Sequence, residues 1–209
     1  MKRNYFRKIF DFLGLCSDKQ RKSASKSQRD YDFLIAHGVE TQPGYVELVG
    51  EPIIHCSQGG RIVIGKGVVL VSESTWNLAG INHPVILSAE GSKASIIIRD
   101  NVGISGASIV TCSSVLIGEN VMIGANSNIY GTDFHCIDAE QRRNQKQITD
   151  APSAPVVIKP DCWLASEVTV LKGVTIGEQS VIGAKSLVNR DVPSKCLAAG
   201  VPARVIKWL

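Results

Sequence analysis

The chain is short of aromatic residues, which make up 6% of its 209 residues, and it has no paired-cysteine motif and no long apolar run. Each shortage excludes something. Few large rings beside 19 glycines argue against a helix bundle and suit short strands joined by tight turns. Cys16, Cys56, Cys112, Cys136, Cys162 and Cys196 stand singly, so neither a disulfide framework nor a zinc knuckle is indicated, and a reduced, cytoplasmic setting is expected. No stretch reaches the roughly 18–20 apolar residues that span a bilayer. The opening MKRNYFRKIFDFLGL has charges inside its apolar part and no small-residue cleavage site after it, unlike a secretory signal.

What is present is an ordinary globular balance, 44% hydrophobic and 20% charged, enough for one sizeable core. The net charge of +4 is unevenly placed: residues 1–30 carry nine Lys/Arg against three Asp, or +6, leaving −2 for the rest. The basic character therefore belongs to an N-terminal arm, and nucleic acid is not an expected partner.

A six-residue period runs through the remainder. From Ile158 the chain reads IKPDCW, LASEVT, VLKGVT, IGEQSV, IGAKSL, then Val188. From Ile98 it reads IRDNVG, ISGASI, VTCSSV and, after one extra residue, IGENVM and IGANSN as far as Ile129. IGKGVV at Ile64, followed by Leu70, belongs to the same set. Position one is aliphatic throughout, and position five is small or valine, as in Val68, Ser74, Ser108 and Ser114, except at Asp133. Six extended residues span about 20 Å, one flat side of a coil. The aliphatic residue then points inward, and the small residue and the Gly at position two ease the corner. Three such sides close a triangular turn, so stacked coils share one core. The expected fold is all-β, a parallel β-helix, because an ordinary sandwich has no reason to keep this register.

The period fails in IYGTDFHCIDAEQRRNQKQITDAPSAP, residues 129–155, and resumes at Ile158. Local rules tend to break at functional sites. His135 is the natural centre of this polar loop. Imidazole can take up or release a proton near neutral pH, and a positioned general base typically contributes about 10²–10⁴-fold. Asp133 has two readings, a substrate-binding or His135-orienting group or an Asx-type turn residue. Asn126 faces a substrate or simply sits at a coil corner. Arg142 and Arg143 could grip an anionic substrate or form a solvated face. His37, His55 and His83 are too dispersed to suggest a metal site.

With TDFH at 132–135 and the gapless run WLASEVTVLKGVTIGEQSVIGAKSLVNRDVPSKCLAAGVPARVIKWL, the chain resembles the hexapeptide-repeat acyltransferases, in particular the maltose, galactoside and nodulation-sugar O-acetyltransferases, over about residues 60–207. The resemblance implies a left-handed β-helix with a C-terminal cap, a homotrimer with active sites between subunits, and acetyl-CoA as acetyl donor. It implies His135 as general base, with Cys136 standing where many relatives have Pro. It also implies a donor site in which the Ser166 backbone N–H meets the thioester carbonyl, Trp163 bounds the pantetheine path and Ala184 lines it. Arg190, Arg204 and Lys207 would then face the nucleotide phosphates, which guanidinium groups can meet bidentately. The expected activity is O-acetylation of a sugar hydroxyl in surface polysaccharide biosynthesis. The alternatives are N-acetylation of an amino sugar, free or nucleotide-linked, and a non-catalytic scaffold.

Two domains are expected: a basic arm and linker over 1–45, and the β-helix over 46–209 with the loop at 130–155. A further insert over 72–95 interrupts the early repeat. Phe6, Ile9, Phe10 and Leu13 share one helical face in the arm, among Lys2, Arg3, Arg7 and Lys8. Such a stretch, over residues 1–15, lies on an anionic membrane surface or packs on protein. DKQRKSASKSQRD, residues 18–30, reads as a linker.

Overall fold

The structure, a computed structural model, describes residues 20–57 and 59–209, with side chains from Ser25 onward. The apolar face expected within residues 4–15 lies outside the described residues. Three sheets of six, eight and six strands run the length of the molecule. All neighbours are parallel except the last pair, Cys196–Gly200 and Ala203–Trp208, which is antiparallel. As far as Leu187–Val188 the chain visits the sheets in strict rotation, so each sheet is one side of a three-sided β-helix, and the last two strands both join the eight-stranded sheet.

The position-one residues stack in register inside it. Side one carries Ile64, Ile98, Ile117, Ile158 and Ile176. Side two carries Leu70, Ile104, Ile123, Leu164 and Ile182. Side three carries Leu87, Ile109, Ile129, Val170 and Val188. All are buried in one continuous apolar cluster. Here the sequence register needs correction. Ile109, not Val110, occupies the core column; Ala107 and Val115 replace Ser108 and Ser114 as its inward neighbours. Two extra residues thus follow this strand before Ile117, while the corner before it is one residue short. Ser108–Thr111 is buried on both faces, so burial pattern alone could not fix which residues point inward.

The corners are turned chiefly at position four, where Asn101, Asn120, Asn126, Asp161, Glu167, Gln179, Lys185 and Lys195 all have φ near +60°. Asn and Asp tolerate that left-handed region best among non-glycine residues. The position-two glycines have a different role from the one expected. A Cβ on Gly124 would lie 2.6 Å from the Ala165 carbonyl carbon and 2.7 Å from Ser166 N, so these glycines let the next coil settle on the last.

The N-terminal boundary also moves. Residues 20–30, expected as linker, lie within helix α1 (Gln20–Ala36). Leu34 plugs the open end of the core, and the buried Asp30 carboxylate accepts the Leu48 N–H at 3.0 Å. Val39–Glu40 already pairs with Arg61–Ile64 on side one, so the β-helix begins before residue 46. The early insert is shorter than expected, because Ile86–Glu90 is a regular strand of side three. Ser74 lies in that insert, in a 3-10 turn, and is not a coil corner.

Candidate active site

The long excursion leaves side three after Asn128–Tyr130 and rejoins side one at Val156–Ile158. Its neck is a short antiparallel ribbon: Thr132 pairs with Ser153, Asp133 N donates to Pro152 O at 3.0 Å, and Ala154 N to Gly131 O at 3.1 Å. At the end of the ribbon Phe134 takes φ +64°, and His135 N donates to Asp133 O at 2.7 Å. This tight turn carries the exposed His135 side chain. A phenylalanine in that region costs on the order of 1–3 kcal/mol and persists only where its surroundings impose it.

Two things impose it. The Phe134 ring meets Tyr130 edge-on, with centroids 5.1 Å apart, and burial pushes the Tyr130 hydroxyl pKa up, so it remains a donor to Asn128 Oδ1 at 2.9 Å. The second is Gln145. Its Oε1 accepts from Cys136 N at 2.9 Å, while its Nε2 donates to Phe134 O at 2.8 Å and Gln147 O at 3.0 Å. One side-chain amide therefore grips the backbone on both sides of His135. Gln145 went unnoticed in the sequence, since QRRNQKQ looks like a solvated polar run.

The rest of the loop is built the same way. Asp138 caps helix α2 (Ala139–Asn144) through Gln141 N at 2.8 Å. Arg142 is committed to the loop itself, donating to Cys136 O at 2.9 Å and Ile137 O at 2.7 Å, whereas Arg143 is exposed. Backbone N–H groups of Lys146 and Gln147 hold the Asp150 carboxyl below the usual range. Asp133 pairs with Lys172, Oδ2 to Nζ 2.8 Å, and the His135 ring has no hydrogen-bond partner in the chain among the described residues. Lys172 was not singled out in the sequence because it occupies an unremarkable hexad position. Asn126 holds the early insert: Asn82 N donates to its Oδ1 at 2.9 Å and its Nδ2 donates to Gly80 O at 3.1 Å.

The expected donor residues fall elsewhere on the prism. Trp163 projects outward from side two, 47% exposed, in register with Met122 and Val181. Ser166 and Ala184 occupy the corner between sides two and three on successive coils, where Lys185 N donates to Ser166 O at 3.0 Å. Neither the Ser166 nor the Ala184 N–H has an acceptor in the chain among the described residues. Arg190 and Arg204 share a cavity of about 280 Å³ near the C-terminal end with Asp191, Pro193 and Ala203. Arg204 spends one nitrogen on Ala203 O, at 2.7 Å. Lys207 is exposed on the last strand, opposite Leu197.

These groups divide between two corners. Ser166 lies between sides two and three, while Lys172, which holds Asp133 and with it the His135 turn, lies between sides three and one. Six residues separate them, or about 20 Å of extended chain. One chain thus presents an imidazole at one corner and unpaired N–H donors at another. Among the described residues, no group of His, Cys, Asp and Glu side chains could hold a metal ion.

No protein-family model matches the chain. It is similar to the galactoside O-acetyltransferase of Escherichia coli strain K12, 42% identical over 99 residues, which is 47% of this chain and 46% of the relative. It is also similar to the galactoside O-acetyltransferase of Lactococcus lactis, 37% identical over 97 residues, 46% of this chain and 44% of the relative. The chain spans about half the length of the curated relatives it matches. Among solved structures, a maltose O-acetyltransferase from Clostridium difficile aligns over 99% of this chain and 86% of its own, with a TM-score of 0.56 and 22% identity. That likeness is one of fold: the left-handed parallel β-helix of hexapeptide repeats. In sequence, the chain is similar to the sugar O-acetyltransferases that carry this repeat.

Proposed function

We propose that this chain is an acetyl-CoA-dependent O-acetyltransferase that acts on a sugar hydroxyl, with His135 as general base. The observation that carries the reading is the His135 turn: a strained backbone, gripped on both sides by Gln145, that presents a free imidazole to solvent. His135 accepts the proton of the acceptor hydroxyl as its oxygen attacks the acetyl carbonyl. The proton then passes to the departing thiolate of CoA, so no group on the enzyme is acylated. The free Ser166 N–H suits the role of donor to the oxygen that gains charge. Arg190 and Arg204 fit the nucleotide phosphates, with Lys207 at the margin and Trp163 and Ala184 along the pantetheine path.

The separation of base and donor site on two corners of one chain supports a homotrimer in which His135 of one subunit faces the Ser166 corner of the next. The same reading places the protein in the cytoplasm, making acetylated surface polysaccharide or its precursor, with residues 1–15 as the candidate contact with the inner face of the membrane. The test is thiol release from acetyl-CoA across a panel of saccharides, with wild type and His135→Ala side by side. A drop of about 10²–10⁴-fold is expected; undiminished transfer by the variant ends the general-base assignment.

A further inference from the structure

The early insert, residues 72–85, is anchored more firmly than a connecting loop requires. Ser72 Oγ accepts the Val85 N–H at 3.1 Å and closes its base. Ile81, 8% exposed, packs with Val69, Val71 and Ala125 in a small apolar cluster on the outside of side two. Asn126 holds Gly80 and Asn82 from the next coils. Gly106 lies so close beneath that a Cβ there would sit 2.6 Å from Ile81 Cβ and 2.8 Å from His83 O. The tip is one bonded turn, with Trp76 N donating to Glu73 O at 3.1 Å and Ala79 N to Asn77 Oδ1 at 2.9 Å.

Yet this fixed tip leaves Trp76 46% and Leu78 91% exposed. A preorganised element that holds large apolar side chains in water is shaped for contact. Its position says with what. Along the corner between sides two and three the order is insert, Asn126, Ser166, Ala184, with Glu167 N bonded to Ala125 O at 2.7 Å. On the proposed reading the donor lies from the C-terminal cavity past Ala184 to Ser166. The acceptor must therefore reach the acetyl carbonyl from the other side of Ser166, and the insert stands there.

We infer that the insert Ser72–Val85 is the acceptor-recognition wall of the enzyme. The Trp76 ring receives the apolar face of a sugar residue flanking the one acetylated, and Glu73, Thr75 and Asn77 on the same turn offer partners for its hydroxyls. An indole meets a pyranose face with large area and little loss of side-chain freedom. The natural acceptor is then an oligosaccharide or a polymer segment. This inference rests on the proposed acetyltransferase reading.

The test uses malto- and galacto-oligosaccharides of increasing length with the full chain, the Trp76→Ala variant and the Leu78→Ser variant. For wild type, the acceptor KM should fall as the saccharide lengthens. Trp76→Ala should raise KM for the long acceptors about tenfold, the scale of one ring contact, and Leu78→Ser less. The shortest acceptor, the KM for acetyl-CoA and the thermal midpoint should stay unchanged. An unaltered length dependence in both variants overturns the inference, as does transfer confined to single sugars or acetyl-CoA binding with no saccharide accepted. A smaller sedimenting species for either variant would assign the tip to a subunit contact instead. Failure of the wild-type chain to bind acetyl-CoA, read by calorimetry, would sink the enzyme reading itself.

Discussion

The coils from Val156 to Val192 and the excursion from Gly131 to Pro155 are neighbours in the chain, yet they are held by opposite means. In the coils each residue inherits its place from the coil beneath: Ile158 stacks on Ile117, Leu164 on Ile123, Val170 on Ile129. In the excursion only a few residues such as Cys136 and Ala151 are buried apolar groups. Its shape is set by single side chains that bond to backbone: Asp138, Arg142, Gln145 and Asp150. Burial is shared over many contacts and resists local change, whereas a bonded clasp can be undone by one substitution. The scaffold should therefore lose stability when altered, and the loop should lose geometry.

The largest effect should come from the scaffold. Ile117→Ala empties the middle of the side-one column, between Ile98 and Ile158, and should lower unfolding free energy by about 2–5 kcal/mol. Urea denaturation reads this directly. A loss below about 1 kcal/mol would mean that the column is not the main support, and the contrast drawn above would fail.

The same contrast explains what the sequence disclosed. The columns were legible because repetition multiplies a weak signal, and the excursion that carries His135 was legible because repetition stops there. Ile109 was misplaced by one residue because Ser108–Thr111 is buried on both faces and offers no alternation. Asn101, Asn120, Asn126 and Asp161 could be read as left-handed corners from residue type, but Glu167, Gln179, Lys185 and Lys195 could not. There the coil imposes the conformation and the side chain merely tolerates it. Helix α1 was taken for linker because its polar residues dominate the pattern, while the two that matter, Asp30 and Leu34, act only once the end of the core exists. Gln145 is the extreme case, since its partners Phe134 and Cys136 lie in irregular backbone that no period announces.

Gln145 sharpens the comparison from the loop side. Gln145→Ala removes the clasp on both sides of His135, and the cost in global stability should stay near 1 kcal/mol. If Gln145 is a positioning residue, kcat should fall at least about tenfold through misplacement of the base, with the KM for acetyl-CoA unchanged. Gln145→Glu can still accept from Cys136 N–H but sets a carboxylate oxygen against Phe134 O and Gln147 O, so its kcat should fall at least as far as that of Gln145→Ala. Rate losses that merely track the losses of stability in both variants would make Gln145 a structural residue only.

The smallest effect concerns the Asp133–Lys172 ion pair, which ties the two regions together. Asp133 belongs to the excursion and Lys172 to the next coil, and both side chains are partly screened, 28% and 29% exposed. Such a pair is worth at most about 1 kcal/mol, and less in high salt. A double-mutant cycle of Asp133→Asn and Lys172→Met should return a coupling of that size in thermal unfolding, shrinking as salt is added. The kinetic arm carries more weight. If Asp133 acts by fastening the His135 turn to the coil, Lys172→Met and Asp133→Asn should depress kcat alike, and the double variant should be no worse than either. If Asp133 instead met the imidazole or an acceptor hydroxyl, its replacement would cost rate whether or not Lys172 were present. A clear loss for Asp133→Asn beside a silent Lys172→Met would therefore detach Asp133 from the scaffold and move it into the reaction.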